Sequence, residues 1–155
     1  MSFRITGLPA SPFSHLFGLP DAELAGFDAA RYTVDETPGF PDRIELRDGV
    51  PGETVILVNY EHLPARTPYR SRHAVFVLEG ATQSYDRVDE VPNALRGRVL
   101  SLRGFDDRDM IVDADLVDGA DVERLIERLF ADARIRYIHA HYAKRGCYAC
   151  RIGRE

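Results

Sequence analysis

The order of apolar and polar positions in the first half of the chain predicts a pair of strands. Val55 to Val58 is a continuous apolar run followed by the polar residue Asn59, which is typical of a buried strand that emerges at the edge of a sheet. Ala74 to Leu78 has the reverse order, because the polar segment Tyr69 to His73 precedes it. If the two strands pair antiparallel, their polar ends meet and form a small polar cluster.

The second half of the chain predicts a hairpin, the principal helix and a terminal hairpin. Val99 to Phe105 and Met110 to Val117 are two strands joined by an acidic turn. Ala120 to Ala133 is an amphipathic helix, because its apolar residues recur at helical spacing. Ile135 to Ala143 and Cys147 to Ile152 then form a hairpin. The strand after the helix can run parallel to the strand before it through a right-handed crossover.

These elements predict an α+β fold. It consists of a mostly antiparallel sheet of about six or seven strands, mixed if that crossover forms, with one principal amphipathic helix on one face and a C-terminal β-hairpin. A length of 155 residues without a repeat or a linker indicates a single domain over residues 1–155.

Composition narrows the classes of partner. With 25 acidic residues against 20 lysines and arginines, the chain has a net charge of −5. Nucleic acids and anionic membranes require a basic surface, so neither is an expected partner. The chain has no signal-peptide pattern and no apolar stretch of membrane-spanning length, so we expect a cytoplasmic protein. A small molecule, or a second copy in a homodimer, remains as a partner.

The C-terminal segment contains the residues best suited to bind a metal. His139 and His141 lie two apart on a predicted strand and therefore point to the same face. A two-residue turn at Arg145-Gly146 would pair His141 with Cys150. Imidazole and thiolate ligands suit zinc, so the candidate cofactor is zinc. The candidate metal ligands are His139, His141, Cys147 and Cys150.

Two other interpretations of this segment stay open. The cysteines can be small apolar fillers and the histidines satisfied polar side chains on a structural hairpin. Alternatively, Cys147 and Cys150 have the C-x-x-C spacing of a thiol redox pair. Thioredoxins place that motif at a helix N-terminus, however, whereas here it lies on a terminal strand.

A second polar group lies where the two central strands are expected to meet. Arg70 and Arg72 share a face and can bind a carboxylate or a phosphate through paired hydrogen bonds. They can equally form ordinary surface ion pairs. His73, His62 and Asn59 complete the predicted ligand-binding group.

The leading functional prediction is therefore the binding of a small, anionic ligand. In this prediction the arginine and histidine group shares one pocket with His139, His141 and Cys150. The alternatives are a zinc-binding structural or interaction protein and a thiol redox protein. The chain lacks the motifs of nucleotide-binding loops, nucleophile-elbow hydrolases and HExxH metalloproteases, so whether it is an enzyme stays open.

Several segments together carry a resemblance to a known family. They are Pro38 to Pro41, Thr67 to Ala74, Leu100 to Arg103, and His139 to His141 followed by Gly146 to Arg151. On these residues the chain resembles a small bacterial family, the domain-of-unknown-function family 1203. The resemblance spans most of the chain and implies no reaction, substrate or cofactor.

Overall fold

The computed structural model describes residues 1–155 and contains nine strands and three α-helices. The strands are β1 Phe3–Thr6, β2 Ala29–Thr33, β3 Thr54–Leu63, β4 Ser71–Leu78, β5 Asp86–Val88, β6 Val99–Phe105, β7 Ile111–Asp118, β8 Tyr137–Tyr142 and β9 Tyr148–Arg154. The helices are α1 Asp21–Ala25, α2 Asn93–Arg96 and α3 Val122–Phe130, with short 3-10 helices at Ser14–Leu16 and Gly119–Asp121. None of these helices is both long and apolar enough to cross a membrane.

The strands form two sheets. A six-stranded sheet has the order β5-β1-β9-β8-β6-β7, so that β5 and β7 are its edge strands. A three-stranded sheet has the order β2-β3-β4. Every hydrogen-bonded pair of strands in both sheets is antiparallel. The predicted α+β class is therefore confirmed, with more strands than expected and with two sheets instead of one.

The predicted strand pairs form in the structure. β3 and β4 pair antiparallel, with Val58 opposite Val75 and Tyr60 opposite His73, so their polar ends meet. β6 and β7 form the predicted hairpin around the acidic turn. β3, β4 and β6 could be identified because each has buried apolar positions bounded by polar ones. β7 alternates apolar and acidic residues, but none of its residues is buried and Leu116 is 64% exposed.

The prediction of a mixed sheet is wrong, although the direction of the strand after the helix is as expected. β7 and β8 are both antiparallel to β6, so they run in the same direction. They are not neighbours, however, because β6 lies between them. The crossover through α3 therefore creates no parallel hydrogen-bonded pair.

Helix α3 covers one face of the six-stranded sheet. It is shorter than the predicted Ala120 to Ala133, since its first turn is the 3-10 helix Gly119–Asp121. Its apolar side chains are all buried and pack with residues of β6, β8 and β9 in one core cluster. They are Val122, Leu125, Ile126, Leu129 and Phe130.

A second core cluster joins the three-stranded sheet to the N-terminal segment and to β9. It contains apolar residues of β3 and β4, among them Ile56, Val58, Val75 and Val77. Tyr148 is the residue that β9 contributes. The terminal hairpin is therefore packed on both sides, against α3 on one and toward β3 and β4 on the other.

Truncation of Ile126 tests this placement of α3. Ile126 is fully buried, so Ile126→Ala leaves a cavity and should lower the free energy of unfolding by about 2–5 kcal/mol in urea denaturation. The adjacent Glu127 is exposed, and Glu127→Ala should change stability by less than about 0.5 kcal/mol. Similar effects of the two substitutions would contradict the buried face described here.

Candidate functional site

The terminal hairpin has a longer turn than the sequence predicts. β8 and β9 are separated by Ala143 to Cys147, and a bulge interrupts the pairing after Ala140. These additional residues shift the register. The predicted pairing of His141 with Cys150 is therefore wrong, because His141 lies opposite Tyr148 and Cys150 lies opposite Ala140.

The observed register puts the imidazoles and the Cys150 thiol on different sides of the hairpin. Ala140 and Cys150 belong to the core that α3 covers, whereas His139 and His141 lie beside His62 of β3. Burial raises the pKa of the Cys150 thiol to about 12, so it stays protonated at neutral pH. No group of three or more His, Cys, Asp or Glu side chains is arranged to hold a metal ion.

The three histidines form a cluster around Tyr148. The His62 ring stacks on Tyr148 with their centroids 5.1 Å apart, and the His139 ring meets Tyr148 edge-on at 4.9 Å. The His62 centroid lies 5.1 Å from that of His141 and 6.2 Å from that of His139. These are the distances of packed aromatic rings.

All three imidazoles are neutral at physiological pH. Burial is the main cause that lowers the pKa of His62 to about 4 and those of His139 and His141 to about 3. His141 Nδ1 donates to Gly146 O at 3.0 Å, and Arg103 Nη1 lies 3.4 Å from His141 Nε2. The Nδ1 atoms of His62 and His139 have no hydrogen-bond partner. Packing, more than polar contact, therefore holds the cluster.

The predicted arginine group lies at the surface. Arg70 Nε donates to Glu61 Oε2 at 3.0 Å, and Arg72 donates to the side-chain oxygen of Asn59. Exposed pairs of this kind contribute little to stability. The structure does bring one member of this group, His62, against His139 and His141. Both arginines are exposed, however, and Cys150 is fully buried on the other side of the hairpin, so the groups do not form the single predicted pocket.

The structure instead contains a basic cleft that the sequence pattern did not indicate. It has a volume of about 470 Å³ and lies between the three-stranded sheet and the β8–β9 turn. It is lined by Gly39, Pro41, Arg43, Leu57, His73, Ala74, Phe76, Gly97, Arg98, Val99, Tyr142, Lys144, Arg145 and Cys147. Five of these residues are basic and none is acidic. Of the predicted site residues, only His73 and Cys147 line it.

Arg43 is the most deeply buried basic residue of the cleft, with 1% of its surface exposed. Its Nε donates to Tyr148 O at 2.8 Å, its Nη2 to Cys147 Sγ at 2.9 Å, and its Nη1 to Pro41 O. No carboxylate forms an ion pair with it, although a buried guanidinium is costly without a counter-charge. A positive charge without a contacting counter-ion therefore lies at the cleft, although the buried carboxylate of Asp42 is near enough to interact with it electrostatically.

Asp42 fixes the loop that carries Arg43. Its buried carboxylate accepts hydrogen bonds from the backbone N–H groups of Leu78 at 2.6 Å and Glu45 at 2.5 Å. Burial raises the pKa of Asp42, and these backbone hydrogen bonds oppose the rise. The loop is thereby attached to β4, the strand that forms part of the cleft wall.

Tyr142 is the second unusual group of the cleft. The guanidinium carbons of Arg43 and Arg98 lie 5.0 Å and 5.1 Å from the centroid of its ring. Asp48 holds Arg98 through contacts of 2.6 Å and 3.0 Å. The Tyr142 hydroxyl is buried without a hydrogen-bond partner, and burial raises its pKa well above the usual range. It is therefore a buried neutral donor with no acceptor, on a residue that lines the cleft.

Sequence reasoning missed Arg43, Arg98 and Tyr142 because they come from separate parts of the chain and fit no short motif. The one local signal is the basic pair Lys144-Arg145 in the terminal turn. Both side chains are exposed there and form no ion pair.

The histidine cluster should make the protein sensitive to acid. A histidine in the unfolded chain has a pKa of about 6.5. This is above the folded pKa values, so the unfolded chain takes up protons first as the pH falls. The stabilisation that the buried neutral histidines provide is therefore complete above that pH. It is lost as the pH falls toward their folded pKa values. Urea denaturation at about pH 7 and about pH 5 measures this loss. Between these pH values the free energy of unfolding of His139→Phe should fall by up to about 2 kcal/mol less than that of the unmodified protein.

A packing cost of His139→Phe is the same at both pH values. It therefore cancels when the change in the free energy of unfolding between the two pH values is compared between proteins. His15 is exposed, so His15→Gln should keep the full acid loss. An equal loss in His139→Phe and in the unmodified protein would show that His139 is not a buried neutral group.

Comparison with known proteins identifies a family and no function. No curated protein and no solved structure is significantly similar to the chain. A family model described as "Protein of unknown function (DUF1203)" matches residues 39–154. That span contains every residue that lines the basic cleft and the whole terminal hairpin. The chain therefore belongs to the DUF1203 family of proteins of unknown function.

Proposed function

We propose that this protein binds a small anion, a carboxylate or a phosphate, in the basic cleft. The observation that carries the proposal is a lining that has four lysines and arginines, one histidine and no acidic residue, in a chain whose net charge is −5. A concave site lined by one sign of charge concentrates ligands of the opposite sign. Its volume of about 470 Å³ is within the usual range of small-molecule sites.

Different groups would supply different parts of the recognition. Arg43 is held rigidly by its protein acceptors, and an anion would provide the counter-charge that it lacks. The Tyr142 hydroxyl is a neutral donor that a ligand oxygen could satisfy. Lys144 and Arg145 are exposed in the turn that lines the cleft, and each can make a charge-assisted contact with the ligand.

The proposal keeps the anionic ligand and His73 of the sequence prediction but assigns recognition to other arginines. The zinc and thiol redox alternatives have no comparable support. His139 and His141 lie on the opposite side of the hairpin from Cys150, whose raised pKa disfavours the thiolate that a zinc ligand must supply. In a redox pair the same raised pKa disfavours Cys150 as the attacking thiolate.

Neutralising the turn tests the electrostatic part of the proposal. In an NMR titration with inorganic phosphate and with butyrate, backbone signals of Gly39, Gly97 and the β8–β9 turn should shift. Lys144→Gln combined with Arg145→Gln should weaken binding about five- to tenfold, since each side chain can make a charge-assisted contact with the ligand.

The matched control is Arg70→Gln combined with Arg72→Gln, which removes the same charge from exposed residues outside the cleft. Its affinity should stay within about twofold, allowing for weak long-range effects. No cleft shifts with either anion, or an equal loss in both double variants, would refute the proposed site.

Tyr142→Phe tests whether the unpaired hydroxyl serves a ligand. Removing a buried hydroxyl that has no partner should raise the free energy of unfolding by about 1 kcal/mol in urea denaturation. The same change should lower the affinity for phosphate in the NMR titration, because a donor is lost. A Tyr142→Phe protein that is less stable, or that binds phosphate as tightly as the unmodified protein, would contradict this role.

A further inference from the structure

The outer face of the three-stranded sheet is apolar where a solvent-facing sheet surface is normally polar. Ala30, Leu57 and Phe76 lie opposite one another across β2, β3 and β4. Ala30 is exposed, and Leu57 and Phe76 are only half-buried. Tyr32, 43% exposed, meets the ring of Phe76 edge-on at 5.9 Å. The face therefore leaves apolar surface in contact with water.

A second groove on this face continues the basic cleft. It has a volume of about 280 Å³ and is lined by Ala25, Asp28, Ala29, Ala30, Leu57, Val58, Asn59 and Ala74. Leu57 and Ala74 line both depressions, so the two share a floor. Four of the eight lining residues are alanines, whose short side chains leave the space open.

The charges at the two ends differ. The cleft has five basic residues and no acidic one, whereas the groove has no basic residue and one acidic residue, Asp28. An anionic group is therefore attracted to the cleft and repelled at the far end of the groove. Between them, Leu57 and Ala74 offer only apolar surface.

We propose that the ligand is an amphiphilic anion, with its carboxylate or phosphate in the basic cleft and an apolar chain along the groove over Leu57 and Ala74. This inference rests on the proposed function, since it takes the cleft as the site of the anionic group. Binding of the ligand's apolar chain removes both its own apolar surface and that of the sheet from water. The charge difference between the two ends fixes its orientation.

Chain length is the direct test. In calorimetric titrations below the micelle concentration, laurate should bind at least tenfold more tightly than butyrate, since each buried methylene adds to the transfer free energy. Methyl laurate, which has the chain without the charge, should bind at least tenfold more weakly than laurate. The NMR signals of Ala25 and Ala30, which line the groove and not the cleft, should shift with laurate and not with butyrate.

The groove provides the matched variants. Ala30→Leu should abolish the advantage of laurate and leave butyrate binding within about twofold, because Ala30 lines the groove and not the cleft, and the added side chain fills the groove and removes no charge. Ala114→Leu is the control, since Ala114 is an exposed alanine on β7. It should bind both ligands as the unmodified protein does. Thermal unfolding would verify that both variants are folded.

The outcomes separate the two proposals. Equal affinity for laurate and butyrate, or an advantage of laurate that survives in folded Ala30→Leu, would overturn the amphiphile and leave the anion site standing. Binding of neither anion would overturn both proposals. A ligand-independent dimer that Ala30→Leu disrupts would assign the apolar face to a second copy of the chain and would also overturn the amphiphile.

Discussion

A buried guanidinium that no carboxylate contacts is the constraint on which the geometry of the cleft depends. Arg43 binds the carbonyl of Tyr148, 105 positions later in the chain, and so joins the loop before β3 to the terminal hairpin. Taking a charge out of water costs several kcal/mol, which is tolerated only where its N–H groups find acceptors. Carbonyl and sulfur acceptors meet this requirement while leaving the charge unneutralised. The cleft is rigid and electropositive for the same reason.

The bulge after Ala140 separates three chemical roles within one hairpin. It directs Cys150 into the core under α3 and leaves His139 and His141 against β3 and Tyr148. The turn that follows presents Lys144 and Arg145 to the cleft. Histidine, cysteine and basic residues that are adjacent in the sequence therefore belong to different parts of the structure. Proximity along the chain is a poor guide to a shared site here.

The sequence predicted elements with a clear alternation and failed where alternation is absent. β3, β4, β6 and α3 each combine buried apolar positions with a polar side or end, and β7 alternates apolar and acidic residues although none of them is buried, so their type and pairing could be predicted. In β8 all six residues are buried, so no pattern of exposed positions defines the register with β9. The length of the terminal turn then decided which side chains meet, and nothing local to the turn specifies it.

The residues of the candidate site show the same contrast between what a local pattern predicts and what it does not. The meeting of Asn59 with the polar end of β4 followed from strand order and was predicted correctly. The cleft was not predicted, because Arg43, Arg98 and Tyr142 come together only through the tertiary packing of segments that are far apart in the chain. Isolated arginines are common at protein surfaces, and only the burial of Arg43 distinguishes it from the others.

The edge strands of the six-stranded sheet bear on how the protein avoids aggregation. An unpaired edge exposes backbone groups that can pair with another chain, and charged side chains on the edge oppose this. β7 has exposed carboxylates at Asp113, Asp115 and Asp118, and β5 is only three residues long and fully exposed. Two β7 edges brought together would place carboxylates against carboxylates. Growth of a continuous sheet from molecule to molecule is therefore disfavoured, even at high protein concentration.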